Sequence, residues 1–299
     1  MTSKLLRRVS PMLEHESPTE AMNYAPEPWV LRRCIESGLV YLENPPDYES
    51  FVEDFAWDKT YRKTADERRE AEPILYGLSN MVKRFRHRIL KRNKVKSLTR
   101  SLIGEIGKRR VNDEIRLLDI GCGGGNLLLS VVKELDDPLR QRCVSFGIEL
   151  SRELARIASE KFNKLQGGRC INDTALDGMI KFEKDYFDII VMSSFLEHEI
   201  NPLPLLHRCR NSLKPGGVIL IKVPNFASIN RLVRRRKWAG FRWPDHVNYF
   251  TPGTLRAMTE KAGFAVKRMK FFDRFPLSDS MYLVLQKSSV EMSGPTPAD

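Results

Sequence analysis

Two hydrophobic rhythms alternate along the second half of the chain. Arg116–Ile120, Cys143–Leu150, Arg169–Ile171, Phe187–Met192 and Leu213–Val223 are short apolar runs, each the length of a buried strand. Leu127–Leu135 and later stretches instead place apolar residues at three- and four-residue steps, the helical period. Alternation of this kind predicts an α/β domain over residues 111–288, a mostly parallel sheet with helices on both faces. Ala265–Phe272 and Met281–Gln286 read as two closing strands without a helix between them, which brings the sheet to seven strands. Residues 1–28, with scattered Pro, Ser and Glu, are expected to be poorly ordered, and 289–299 to form a disordered tail. Residues 29–110 read as a mostly helical N-terminal region.

The first strand ends in a run that carries chemistry, Leu117-Leu-Asp-Ile-Gly-Cys-Gly-Gly-Gly-Asn126. A strand that turns through glycines into a helix brings bare backbone N–H groups close to a ligand. Dinucleotides and S-adenosylmethionine are the two ligand classes that use this device. The dinucleotide spacing G-x-G-x-x-G would need its third glycine at Asn126, so the spacing favours S-adenosylmethionine. Asp119, Gly121, Cys122, Gly123 and Gly125 are therefore candidate cofactor contacts. Glu149 ends the second strand, where a carboxylate can accept both hydroxyls of a ribose. Asp173, at the end of the third strand, can accept from an adenine amino group. Leu150, Thr174 and Ser193 occupy neighbouring strand ends and complete the candidate set.

With those motifs in place, the chain resembles the class I S-adenosylmethionine-dependent methyltransferases. LLDIGCGGGN, GIELS, FDIIVMSSFLEH and LKPGGVILIKVPN stand in that family's order and spacing, and the likeness covers roughly residues 98–288. It implies a Rossmann-like, doubly wound sheet closed by an antiparallel C-terminal hairpin. Within the class, the segment from Val223 to Phe264 is similar to a bacterial subgroup related to ubiquinone-biosynthesis O-methyltransferases, of the type 11, 12 and 23 kind. That resemblance implies in-line methyl transfer to oxygen on a small-molecule, saccharide or lipid-linked acceptor. Relatives carry C-x-x-C in a short leader. Here Cys34 is followed by Ser37, so no metal is expected.

Charge adds a second theme. The net charge is +12, and residues 81–110 hold twelve Lys and Arg against the single acid Glu105. Val82, Phe85 and Ile89, then Val95, Leu98, Leu102 and Ile106, recur at helical spacing. A basic amphipathic helix of this kind can lie on an anionic membrane, at the inner membrane face, or simply pack on the catalytic domain; packing is favoured. Arg231–Trp243 mixes six cations with Trp238, Phe241 and Trp243. A substrate wall so built suits an anionic or sugar-bearing acceptor. Five cysteines without regular spacing and the lack of an apolar leader sequence point to a reduced, cytoplasmic compartment.

A hydroxyl acceptor needs somewhere to leave its proton, and five histidines are present: 15, 87, 198, 207 and 246. His246, in the insert after the fifth strand, is the first candidate base or substrate contact. His198, directly after the fourth strand, is second, and Glu197 third. An RNA methyltransferase also suits a basic chain, but no RNA-binding module is visible, so a nucleic-acid partner is not expected. A non-catalytic scaffold retaining the fold is the other alternative. A glycosyltransferase or dehydrogenase on a similar sheet is disfavoured by the missing glycine at 126.

Overall fold

The computed structural model describes residues 6–46 and 93–288. The leader contributes three short strands, β1 (Thr19–Ala21), β2 (Leu31–Cys34) and β3 (Val40–Leu42). The second part runs α1 (Lys94–Arg109), β4 (Ile115–Ile120), α2 (Asn126–Lys133), α3 (Asp137–Arg140), β5 (Cys143–Glu149), α4 (Arg152–Gln166), β6 (Cys170–Asn172) and α5 (Ala175–Ile180). It continues with β7 (Phe187–Ser193), α6 (Pro202–Ser212), β8 (Leu213–Pro224), α7 (Ile229–Arg234), β9 (Asn248–Tyr249), α8 (Pro252–Lys261), β10 (Phe264–Arg268) and β11 (Ser280–Lys287).

Seven strands form one sheet in the order β6-β5-β4-β7-β8-β11-β10. The five on the β6 side are parallel to one another, and β11 is antiparallel to both of its neighbours. This is the expected doubly wound arrangement. The chain moves outward from β4 to β6 and then restarts on the other side of β4 with β7. Strand order therefore reverses between β4 and β7, which opens a crevice at their carboxyl ends.

Residue alternation divides the interior in two, as the pleat requires. Leu118 and Ile120 of β4, with Ile190 and Met192 of β7, join one apolar cluster together with residues of α6 and α8. Leu117, Ile189 and Val191 face the other, with α1, α2 and α4. In α1 the buried face is Val95, Leu98, Thr99, Leu102, Ile103 and Ile106. That stripe, read from the sequence as amphipathic, is spent on the sheet and is not available to a membrane. The first part of the basic stretch, residues 81–92, lies outside the described residues, as does the tail 289–299.

Two expectations need correction. The leader is not disordered from residue 6, nor are residues 29–46 helical. Its strands pair in series and join β9, with Val40 opposite Tyr249 and Tyr41 opposite Asn248. Arg8 fixes it from below, donating to the carbonyls of Val247 (3.2 Å) and Ile200 (2.7 Å) and to Asn248 Oδ1 (3.0 Å). Short strands with few apolar residues carry little periodic signal, and their partner lies some 200 residues later in the chain, so no local pattern announces them. The expected strand Ala265–Phe272 also ends early, at Arg268, and Phe271–Asp273 form a turn of 3₁₀ helix.

Candidate active site

The site is built from the carboxyl ends of β4, β5 and β7. Gly121, Gly123 and Gly125 all adopt positive φ (69°, 53° and 73°), a conformation that costs a side-chain-bearing residue about 1–2 kcal/mol. A Cβ at Gly121 would lie 2.3 Å from Phe195 Cδ2, so the turn needs glycine for space as well as for φ. At Gly123 nothing lies within 4 Å of a would-be Cβ; the backbone here faces open space. The Gly121 N–H donates to the Ile148 carbonyl at 2.8 Å, tying the turn to β5.

Glu149 is the hinge of this arrangement. One carboxylate oxygen accepts the Gly123 N–H at 2.8 Å and the other accepts the Ser151 N–H at 2.9 Å. Each oxygen retains a lone pair, so the carboxylate can still accept two hydroxyls. Asp119 sits behind it, 3% exposed, and burial followed by the Glu149 charge pushes its carboxyl up to about 8.

The other expected cofactor residues divide. Ser193 ends β7 opposite Lys222 of β8, beside the crevice. Cys122 turns its thiol inward, 3.5 Å from Cys170 Sγ, and that contact and burial raise its pKa; only its backbone can serve a ligand. Asp173 accepts the Thr174 N–H (2.9 Å) and pairs with Lys181 (2.6 Å), which holds it below the usual carboxylate range. Thr174 caps α5 by accepting the Asp177 N–H. Leu150 lies half-buried between Glu149 and the α4 cap Ser151. The turn, Glu149 and Ser193 therefore converge on the crevice, whereas the side chains of Cys122, Asp173 and Thr174 are engaged in local contacts.

On the acceptor side, His198 and His246 come together although 48 positions separate them. Their rings meet edge to face with centroids 4.7 Å apart. His198 Nδ1 lies 2.8 Å from the Asp245 carbonyl, and His246 Nδ1 lies 2.7 Å from the Gly240 carbonyl. A ring nitrogen on a carbonyl must carry the proton, so each Nε2 bears the lone pair. Burial is the first cause holding both below the usual histidine range, His198 at about 4 and His246 well below it. His198 is half-buried and His246 only 5% exposed. Glu197, buried beside them, is raised to about 7 by desolvation, and its Oε2 has no hydrogen-bond partner.

The basic-aromatic insert differs from the expected substrate wall. Trp238 is fully buried and donates to Asp279 at 2.8 Å, while Phe241 stacks between Tyr24 of the leader and Trp243. These rings form a packed cluster with Leu31, Val40, Phe226 and Tyr249. They seal the leader onto the domain rather than offering a face to a sugar. The sequence reading recognised the leader by its Cys34 segment but missed its strands and their packing against this insert. It also missed Phe195, which sits inside the quoted SSFLEH motif and packs over Gly121.

A methyltransferase-domain family matches residues 78–268. The ubiquinone biosynthesis O-methyltransferase of Paraburkholderia phymatum is 27% identical over 176 residues, covering 54% of this chain and 70% of that protein. Its counterpart in Ralstonia nicotianae is 25% identical over 188 residues, covering 58% and 73%. A SAM-dependent methyltransferase from Archaeoglobus fulgidus is 19% identical with a TM-score of 0.44, covering 63% of this chain and 94% of that one. No described helix is long and apolar enough to cross a membrane. With the glycine turn, the strand-end acid and a family match over more than half its length, the chain belongs to this methyltransferase family and is an S-adenosylmethionine-dependent enzyme.

Proposed function

We propose that this methyltransferase transfers the methyl group to an oxygen of a small-molecule acceptor, saccharide or lipid-linked, with the acceptor hydroxyl facing His198. The observation that carries this reading is the paired histidines. Two imidazoles, each anchored through Nδ1 on a backbone carbonyl, meet edge to face: His198 where the chain leaves β7, His246 just before β9. Bound S-adenosylmethionine supplies an electrophilic methyl on a sulfonium. The chain's own residues bind and orient. Gly121 and Gly123 bring backbone close to the ligand, Glu149 accepts the ribose hydroxyls, and Ser193 borders the crevice. Asp173 and Thr174, at the end of β6, serve the adenine side chiefly through their backbone, since their side chains are engaged.

His198 rather than His246 is the group to meet the acceptor, because His198 is half-buried and directly follows β7, whereas His246 is buried. A base of this kind contributes roughly 10²- to 10⁴-fold. The names of the relatives favour oxygen as the methyl acceptor, since those matched above are O-methyltransferases. The test is calorimetric titration of S-adenosylmethionine into the full chain and into Glu149→Ala, followed by turnover on hydroxyl-bearing acceptors. Micromolar binding that collapses in the variant, with turnover lowered at least 100-fold in His198→Ala, supports the reading. Folded wild-type protein that fails to bind the cofactor overturns it.

A further inference from the structure

The glycine turn carries a pair of thiols that methyl transfer does not use. Cys122, between Gly121 and Gly123, meets Cys170 of β6 with the two sulfurs 3.5 Å apart, across 48 positions of sequence. Gly147 of β5 makes the meeting possible. It lies opposite Cys170 in the sheet, and a Cβ there would stand 2.5 Å from Cys122 Sγ and 3.1 Å from Cys170 Sγ. The first of these is too close for any real Cβ, so glycine leaves the space in which the sulfurs meet.

The two thiols are unequal. Cys34, Cys122, Cys143 and Cys209 are buried, and Cys170 alone of the five cysteines is partly exposed. The Cys122 thiol is also held above the usual thiol range, first by its contact with Cys170 and then by burial. Thiolate character and access decide which sulfur an oxidant attacks. Cys170 is therefore the sulfur reached first, and Cys122 is its resolving partner.

We propose that Cys122 and Cys170 form a redox switch on the cofactor turn, which a hydroperoxide closes to a disulfide and which thereby weakens the hold on S-adenosylmethionine. The Cys170 sulfur attacks one peroxide oxygen and the O–O bond breaks. The other oxygen leaves as water with the thiol proton, and a sulfenic acid remains at Cys170. The Cys122 sulfur then attacks that sulfur: the S–S bond forms, the S–O bond breaks, and the hydroxyl leaves as water with the Cys122 proton. Two thiols are oxidised by two electrons and one peroxide is reduced to two waters.

A disulfide of about 2.05 Å requires the sulfurs to close by roughly 1.5 Å. Cys170 is held in a strand, so the turn takes up much of that movement. The Cys122 carbonyl accepts the Gly125 N–H at 3.0 Å, and the next N–H, that of Gly123, donates to Glu149 at 2.8 Å. A pull on Cys122 thus reaches both the backbone at the crevice and the ribose acid. This effect on the cofactor rests on the proposed function; the disulfide does not.

The experiment treats the reduced full-length protein with hydrogen peroxide, then alkylates and digests it for mass spectrometry. The expected product is a disulfide joining the Cys122 and Cys170 peptides, reversed by dithiothreitol, with calorimetry showing cofactor binding about tenfold weaker in the oxidised protein, within the ordinary range of a coupling between sites. Reciprocity then requires saturating cofactor to favour the dithiol tenfold, which in a glutathione redox buffer raises the midpoint potential of the pair by about 30 mV. Cys170→Ser and Cys170→Ala should both bind cofactor as the reduced wild type does and ignore peroxide. Folded, peroxide-treated wild type with both thiols still open to alkylation overturns the proposal. So does a disulfide that leaves affinity and midpoint unchanged. Reduced wild type that fails to bind cofactor overturns the methyl-transfer reading and the effect on affinity together, and the disulfide read by mass tells that failure from the others.

Discussion

Glu149 and Gly123 are joined by a 2.8 Å hydrogen bond from the glycine N–H to the carboxylate, across 26 positions of sequence. The bond locks the middle of the turn to the end of the neighbouring strand, so one acid both shapes the loop and faces the crevice. Glu149→Gln keeps a single acceptor oxygen and leaves either Gly123 or Ser151 without its partner. A lost hydrogen bond to a charged group is worth about 1.5–3 kcal/mol. Urea unfolding is expected to show a loss of that order, and calorimetry at least tenfold weaker cofactor binding. Unchanged values for both would remove Glu149 from the site.

Gly121 and Gly123 separate two reasons for glycine. Gly123→Ala meets open space and bears only its positive φ, so about 1–2 kcal/mol of destabilisation is expected. Gly121→Ala bears the same strain plus a 2.3 Å approach to the Phe195 ring, and should cost more. Pairing it with Phe195→Leu should return part of that excess, measurable as a coupling energy in a double-mutant cycle. Additive effects would mean that the ring moves aside freely.

How far the sequence could be read follows from where each signal sits. The strands of the sheet were legible because each carries its own local pattern, as Phe187–Met192 does, and the glycine turn was legible because its chemistry is contiguous. The meeting of His198 with His246 was not. Each was a candidate alone, but the ring contact depends on how the chain folds back after β8 and on the Gly240 and Asp245 carbonyls that orient the two rings. The leader was illegible for the same reason. Its strands join β9, and contacts as remote in sequence as Arg8 with Ile200 and Tyr24 with Phe241 fasten them there. The expected roles of Trp238 and Phe241 failed on an ambiguity of type, since exposed binding rings and buried packing rings look alike in sequence.

Arg8 gives the leader a direct test. Its guanidinium is buried and serves carbonyls of the loops that also carry the histidine pair. Arg8→Ala removes the guanidinium donor from the Ile200 carbonyl and from Asn248 Oδ1 and leaves the Val247 carbonyl with the Leu42 N–H alone, and about 2–4 kcal/mol of destabilisation is expected, several times more than an exposed arginine would cost. Hydrogen exchange should show faster opening at Val247 and Asn248, whose N–H groups both donate to the Glu197 carbonyl. Protection lost only in the leader would show that Arg8 does not brace the histidine loops.

The histidines set the acid limb of stability. His198 has its folded pKa lowered from 6.5 to about 4, and His246 is lowered further, both chiefly by burial. Between those values the unfolded chain binds more protons than the folded one, so stability rises with pH through this window and is lost as pH falls from 6.5 towards 4. His198→Gln removes one of the two groups. Its unfolding midpoint, followed from pH 7 to pH 4, should fall less steeply than that of the wild type. Parallel slopes would place the proton uptake elsewhere.

Asp119 acts in the opposite sense. Its carboxyl is raised from about 4 to about 8, first by burial and then by the neighbouring Glu149 charge. Here the folded protein binds more protons than the unfolded chain between those values, so stability is fully present below the lower value and is lost as pH climbs to the upper one. Asp119→Asn cannot ionise and should escape that loss: stability measured by urea at pH 5 and pH 9 is expected to fall in the wild type and to fall less in the variant. Glu149→Gln removes the second cause but not the first, so it should lower the upper edge of the window without abolishing it. If Glu149→Gln instead abolished the alkaline loss, charge repulsion rather than burial would be the dominant cause. The pair would then share one proton as a unit, and Asp119 would lose its neutral form when Glu149 is neutralised.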